Sequence, residues 1–200
     1  IEQIHNLLND FKVIRNKKKK VSTANLYKLI EGSQRFFGII NDNFSIGYPF
    51  EFIRMGRYME RADMISRILD TLCLSASLNQ MHDFKTLEWA SMLRNLSAQE
   101  AFREESKGEI ERGSVLKFLI QNKGFPRSIS KCLEQIEDCV SSLPNNVLMK
   151  DEIKKTINKN FVAHIDKYDD DKLHIFLQEL QKRLIKLDER IHKSWFLLHS

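Results

Sequence analysis

The stretch FEFIRMGRYMERADMISRILDTLCLSASLN, Phe50 to Asn79, decides the fold. It contains no proline and consists largely of good helix formers, so nothing in it interrupts a helical backbone. Wound at about 100° per residue, one arc gathers Met55, Tyr58, Met59, Ala62, Ile65, Leu69, Leu72 and Cys73 into a packing face. The opposite arc is mixed: Ile53, Met64 and Ile68 lie among Arg57, Glu60, Arg61, Asp63 and Arg67. A helix lying on the outside of a protein would be polar there. This one reads as buried on one side and half-buried on the other, a central helix with others packed around it. Asp63 precedes Arg67 by four residues, the favourable acid-first order, and Glu60 follows Arg57 by three. The polar residues therefore form a ladder of ion pairs. Glu60, in the company of Ile53, Met64 and Ile68, is expected to be at least partly buried and hydrogen-bonded to an arginine.

Outward from this helix, the composition agrees with an all-α chain. Three prolines and seven glycines in 200 residues are too few for the many turns of a β-protein, and no segment alternates with a period of two. Hydrophobic residues at 42% and charged residues at 30% suit a soluble domain with a sizeable core. No apolar run approaches the roughly 20 residues that span a bilayer, and no signal peptide is visible. The net charge of +5 comes from 32 bases and 27 acids interspersed along the chain, which reads as a mixed solvated surface. Cys73, Cys132 and Cys139 form no CxxC motif, and the last two stand about 10 Å apart along one helix, too far to bridge. They read as buried, reduced thiols of a cytosolic protein.

The remaining segments supply the rest of a bundle. Ile1, Ile4, Leu7, Leu8, Phe11 and Ile14 have helical spacing, and Lys17 to Lys20 then read as a solvated loop or helix end. Ser22 or Thr23 caps a helix whose Leu26, Leu29, Ile30, Phe36, Phe37 and Ile40 face inward, with Gly32 and Gly38 permitting close approach. Pro49 suits the first turn of the central helix. Asp83 is an N-cap candidate before Leu87, Trp89, Ala90, Met92 and Leu93, and Ser97 with Glu100 matches a capping box for a short helix ended by Gly108. Further helices cover about Glu109 to Gln121, Ser128 to Leu143 and Val147 to Ile165. Asp169 to Asp171 open the last, long one. The expectation is a single domain over 1–200, a bundle of about seven to eight helices around the central one.

Three constellations could carry chemistry. Arg57, Glu60, Arg61, Asp63 and Arg67 form either a structural ion network or a seat for a phosphate or carboxylate. Arg127 and Ser128, at a helix start after a tight turn, form a second candidate anion site, which Arg94 could join. The spacings Glu2 to His5 and Glu189 to His192 match those of di-iron bundles, but neither pair lies on an apolar stripe, so both read as surface residues and no metal is expected. HExxH, P-loop, GxGxxG and GxSxG patterns are all absent, and no cofactor is expected.

The segment GRYMERADMISRILD, Gly56 to Asp70, resembles the signature of the alpha-E family, bacterial helical domains named for a Glu-Arg motif. The lead-in GYPFEFIR resembles it too, as do WASMLRNL (Trp89 to Leu96), VLKFLI (Val115 to Ile120) and FPRSISKCL (Phe125 to Leu133). The resemblance is strongest over Gly47 to Pro144. It implies an accessory helical module, not itself an enzyme. Its implied partner is an ATP-grasp ligase or a transglutaminase-like protein, in a cytoplasmic system that makes or modifies peptides. Family members usually carry two related motifs, and this chain carries one complete copy, at Glu60-Arg61, so it reads as the later part of a longer member. The alternatives are an enzyme or ligand-binding subunit holding an anionic substrate at Arg57, Glu60 and Arg61, and a nucleic-acid binder using Lys17 to Lys20. An open pocket along the Glu-Arg ladder would favour the ligand-binding reading; a buried, fully paired ladder would favour the accessory module.

Overall fold

A computed structural model describes residues 22–78, 85–106 and 110–197, with positions 9 and 12. Among these residues lie eight α-helices and no strand: α1 (Thr23–Asn43), α2 (Tyr48–Leu78), α3 (Lys85–Asn95), α4 (Gln99–Ser106), α5 (Arg112–Gln121), α6 (Ile129–Ser141), α7 (Val147–Val162) and α8 (Asp170–Trp195), with a 3₁₀ turn at Ile165–Lys167. The all-α class read from the sequence is the fold observed. The helix starts follow from local chemistry. Ser22, Ser128 and Asp169 each accept a hydrogen bond from the backbone N–H three residues on, filling one of the orphan donors of the first turn. The opening helix, Asp83 and Gly108 lie outside the described residues.

The chain forms two compact units, Ile1–Phe50 and Glu51–Ser200. In the first, Leu26 is 47% and Ile30 51% exposed, so the expected inward stripe of α1 is not buried at these positions. Its described residues offer one helix, a turn and the first residues of α2, with no second long helix face on which that stripe could close. Gly38 faces open space, so it serves no close helix approach.

The second unit holds a continuous core. Met55, Ala62, Ile65 and Leu69 of α2, Leu116 and Leu119 of α5, Ile129, Leu133 and Ile136 of α6, Ile153 of α7, and Leu173, Leu177 and Leu180 of α8 are buried in one cluster. Burying each such side chain fully is worth about 1.5–3 kcal/mol, which is what draws the amphipathic faces together. All three cysteines are free and buried, as their spacing implied. Burial pushes the thiols of Cys73 and Cys132 up to about 11 and that of Cys139 to about 12.

Two elements depart from the sequence reading. The helix expected through Ile165 ends at Val162, and Ile165 sits fully buried in the short 3₁₀ turn. Ser97 caps no following helix. It has φ 51°, and the bonds Ser97 N–H to Arg94 O and Ala98 N–H to Leu93 O close the C-terminus of α3 in a Schellman arrangement. The demand of the α3 carbonyls outweighs the capping-box pattern, because Ser97 is already spent as the left-handed residue that turns the chain.

Candidate functional site

The Glu-Arg ladder lies in the middle of α2, and only part of it is an ion network. Arg67 Nε donates to Asp63 Oδ2 at 2.7 Å, the pair predicted by acid-first spacing. Glu60, expected partly buried and bonded to an arginine, is instead exposed and makes no hydrogen bond or ion pair with a described residue. The reason lies in its neighbours. Met64 is 52% exposed and, with Ile68, lines an open groove instead of meeting another helix, so the apolar arc does not bury Glu60. Arg61 turns away from Glu60 to donate from Nη1 to the carbonyl of Pro126, 3.3 Å away.

That bond brings the two sequence motifs together. The loop Asn122–Arg127 is shaped by Asn122, whose Oδ1 accepts from the N–H groups of Gly124 and Phe125 at 2.7 and 2.6 Å. Phe125 anchors the loop by stacking on Phe118, with ring centroids 4.8 Å apart. Arg127, next to Pro126, donates from Nη1 to the carbonyl of Leu96 at 2.7 Å. Leu96 follows the last helical residue of α3, so Arg127 satisfies a carbonyl that the end of α3 leaves over. Arg57 stands one turn before Arg61 on the same face of α2. The Tyr58 ring lies 5.7 Å from the Arg61 guanidinium.

Arg57, Arg61 and Arg127 thus form one cationic corner. Burial first, and then the like charges of Arg61 and, more weakly, Arg127, depress the Arg57 pKa. The partners of Arg61 and Arg127 are carbonyl oxygens, which orient a guanidinium without neutralising it. Among the described residues neither forms an ion pair. Guanidinium groups so disposed match the geometry of carboxylates and phosphates.

The groove beside this corner runs between α2 and α3 and has a volume of about 800 Å³. Met64, Ile68, Leu72, Met92 and Leu96 give it an apolar floor, while Glu60, Asp63, Arg67 and Glu88 supply its charges. A smaller hollow of about 320 Å³, bounded by Gly56, Leu184, Ile185 and Asp188, shares Glu60, Asp63 and Arg67 with it. These residues therefore form a ridge between two depressions.

Other candidates fall elsewhere. Ser128 is fully buried, and its hydroxyl is occupied on both sides, accepting from Lys131 N–H at 3.0 Å and donating to the carbonyl of Asn122. It builds the loop that presents Arg127. Arg94 is exposed and takes no part in the arginine corner. Glu189 and His192 both face solvent, and no group of three or more potential metal ligands gathers among the described residues. Glu2, His5 and Lys17 to Lys20 lie outside the described residues. Two features escaped the sequence reading. Glu51, 6% exposed, pairs with Arg54 at 3.0 Å, and Asp70 meets His174 Nδ1 of α8 at 2.5 Å. Three-residue spacing could have signalled the first; the second joins residues 104 apart and has no local signal.

The unit is all-α, with Arg61 and Arg127 held on backbone carbonyls and an open groove between α2 and α3. The chain belongs to the Alpha-E family, described as a predicted alpha-helical domain with a conserved ER motif, which it matches over residues 1–196. No curated protein and no solved structure matches it. Among the described residues no helix is long and apolar enough to cross a membrane.

Proposed function

We propose that this Alpha-E chain is a helical ligand-binding module that holds an anionic group, a carboxylate or a phosphate, between Arg57, Arg61 and Arg127. The observation that supports the reading is the meeting of the Glu-Arg motif with the FPR turn through the Arg61 bond to Pro126 and the Arg127 bond to Leu96. Arg61 and Arg127, held on carbonyl oxygens, keep their charge, and charge-assisted bonds to guanidinium are among the stronger contacts in proteins. Glu60, exposed beside the corner, supplies an acceptor for any donor the same ligand carries. The family resemblance supports a wider role as an accessory to an ATP-grasp ligase or a transglutaminase-like protein that forms or modifies peptides in the bacterial cytoplasm. Identifying the proteins that co-purify with this chain tests that partnership.

Calorimetric titration with inorganic phosphate and with succinate tests the anion seat. Saturable binding, weakened at least tenfold in Arg57→Gln and in Arg61→Gln, is the expected result. Arg103→Gln, whose exposed pair with Glu100 lies on α4, serves as the control that leaves binding unchanged. Absence of saturable binding in the wild type, or equal weakening in the control, refutes the reading.

A further inference from the structure

Where α7 ends and α8 begins, the chain forms a pocket of about 510 Å³ that shares no residue with the arginine corner. From α8 it takes Lys172, Ile175, Phe176, Glu179 and Arg183, whose three- and four-residue steps place them on one face. Lys159 and Val162 of α7, with Ala163 and Tyr168 of the connection, complete the wall. Lys159, Lys172 and Arg183 against Glu179 leave a formal charge of +2 in this lining. The acid is already engaged, because Lys182 donates to Glu179 Oε1 at 2.9 Å. Lys182 first, and more weakly Arg183 and Lys159, hold the Glu179 carboxyl below its usual range, so these cations gather at one end of the pocket. Lys172 marks the other, with its Nζ 4.6 Å from the centre of the Tyr168 ring. Arg183 is half-buried, and its Nε, shut away from water, has no hydrogen-bond partner among the described residues. Burial lowers its pKa, and Glu179 restores only part of the loss. A guanidinium so placed lacks the counter-ion that would offset its desolvation. Between the two ends Val162 is 74% and Ile175 63% exposed, which leaves apolar surface in water beside Phe176.

We propose that this pocket binds a small amphipathic anion, an organic acid whose carboxylate or phosphate head meets Arg183 and Lys159 and whose apolar body lies along Val162, Ile175 and Phe176. The inference stands apart from the anion seat at Arg61 and does not depend on it. A guanidinium matches either head group, through paired N–H donors. From Arg183 back to Phe176 the α8 wall runs about 10 Å at 1.5 Å per residue, a length that suits a medium-length hydrocarbon chain. The volume falls within the range of ligand sites, about 300–1,000 Å³. Charge and exposure together select the class. An inorganic anion would answer Arg183 but leave Val162 and Ile175 in water. A neutral apolar molecule would cover those two and leave Arg183 without a counter-ion. An amphipathic cation would meet a pocket of its own sign.

The test is calorimetry on the full chain with octanoate and octyl phosphate, each below the concentration at which it forms micelles. Octanol, octylamine and acetate are measured alongside. At least one of the two amphipathic anions is expected to bind saturably, at least tenfold more tightly than octanol, octylamine or acetate, and the better of the two identifies the head group. Arg183→Gln is expected to weaken that binding at least tenfold. Ile175→Glu replaces an exposed residue, so folding is retained, and it is expected to weaken binding to a similar degree. Glu179→Gln removes a like charge beside the head and is expected to tighten binding at least twofold, a gain that damage to the fold cannot produce. Arg103→Gln again serves as the unchanged control. Octanol or acetate binding as tightly as the amphipathic anions would overturn the inference. So would an absence of saturable binding, or anion binding that Arg183→Gln and Ile175→Glu leave intact.

Discussion

The end of α5 and the end of α7 cap one another, and this exchange makes a sharp prediction about stability. A helix leaves its last four carbonyls without partners. The Asn160 amide of α7 donates to the carbonyl of Ile120, near the end of α5, at 3.0 Å, and to Ser130 Oγ of α6 at 2.5 Å. In return, Gln121 of α5 donates to the carbonyls of Asn160 and Ala163 at the end of α7, both at 2.8 Å. Asn160 and Ser130 are fully buried, whereas Gln121 is half-buried. Asn160→Ala strips donors from two buried oxygens, each costing about 1–3 kcal/mol when left unpaired. The buried Oδ1 of Asn160 has no hydrogen-bond partner, and its removal returns part of that loss. The net expectation is a destabilisation of about 2–4 kcal/mol, against about 1 kcal/mol for Gln121→Ala, where water can replace the lost donor. Urea unfolding followed by circular dichroism at 222 nm reads this directly. With a slope of about 2–3 kcal/mol/M, Asn160→Ala lowers the midpoint by about 1 M. Asn160→Asp keeps the shape but replaces the donor by a buried acceptor, so it should cost more than the alanine. A loss below about 0.5 kcal/mol for Asn160→Ala, or a tolerated Asn160→Asp, would refute the capping argument.

Ser97→Gly should stabilise the chain by about 1 kcal/mol, measured in the same way, because Ser97 holds φ 51° and only glycine adopts that region without steric cost. Glu60→Gln should leave the unfolding midpoint unchanged, since Glu60 is exposed and unpaired, whereas Glu152→Gln should cost up to about 1 kcal/mol through its pair with Arg190. Equal losses at the two positions would contradict this assignment. The thiols, whose ordinary value of 9.0 rises to about 11–12 on burial, favour the folded state fully below pH 9 and withdraw that support as pH climbs toward 12. Stability should therefore fall between pH 9 and 11, by less in Cys132→Ala than in the wild type, and iodoacetamide at pH 8 should label the cysteines only after unfolding.

What the sequence disclosed was what local chemistry controls. The caps at Ser22 and Ser128, the acids that open α8, the early position of Pro49 in α2, and the Asp63–Arg67 pair all depend on residues within one helical turn, and each is present. Glu152 illustrates the limit. It pairs with Arg190 of α8, a partner that only helix packing supplies and that no local spacing announces. The candidate site divides along the same line. That Arg57 and Arg61 share a face follows from helical spacing, but the arrival of Arg127 depends on a loop turned by Asn122 and on the carbonyl left over at Leu96. Ser97 hid that carbonyl's role, because a serine three residues before a glutamate fits the start of one helix as well as the end of another. Met64 and Ile68 posed a deeper ambiguity, since an apolar residue beside charges has the same pattern whether a neighbouring helix or an empty groove faces it. Hydrophobicity records only that water is unfavourable there. What takes the water's place is decided by how the helices pack, and at this groove between α2 and α3 the floor remains open.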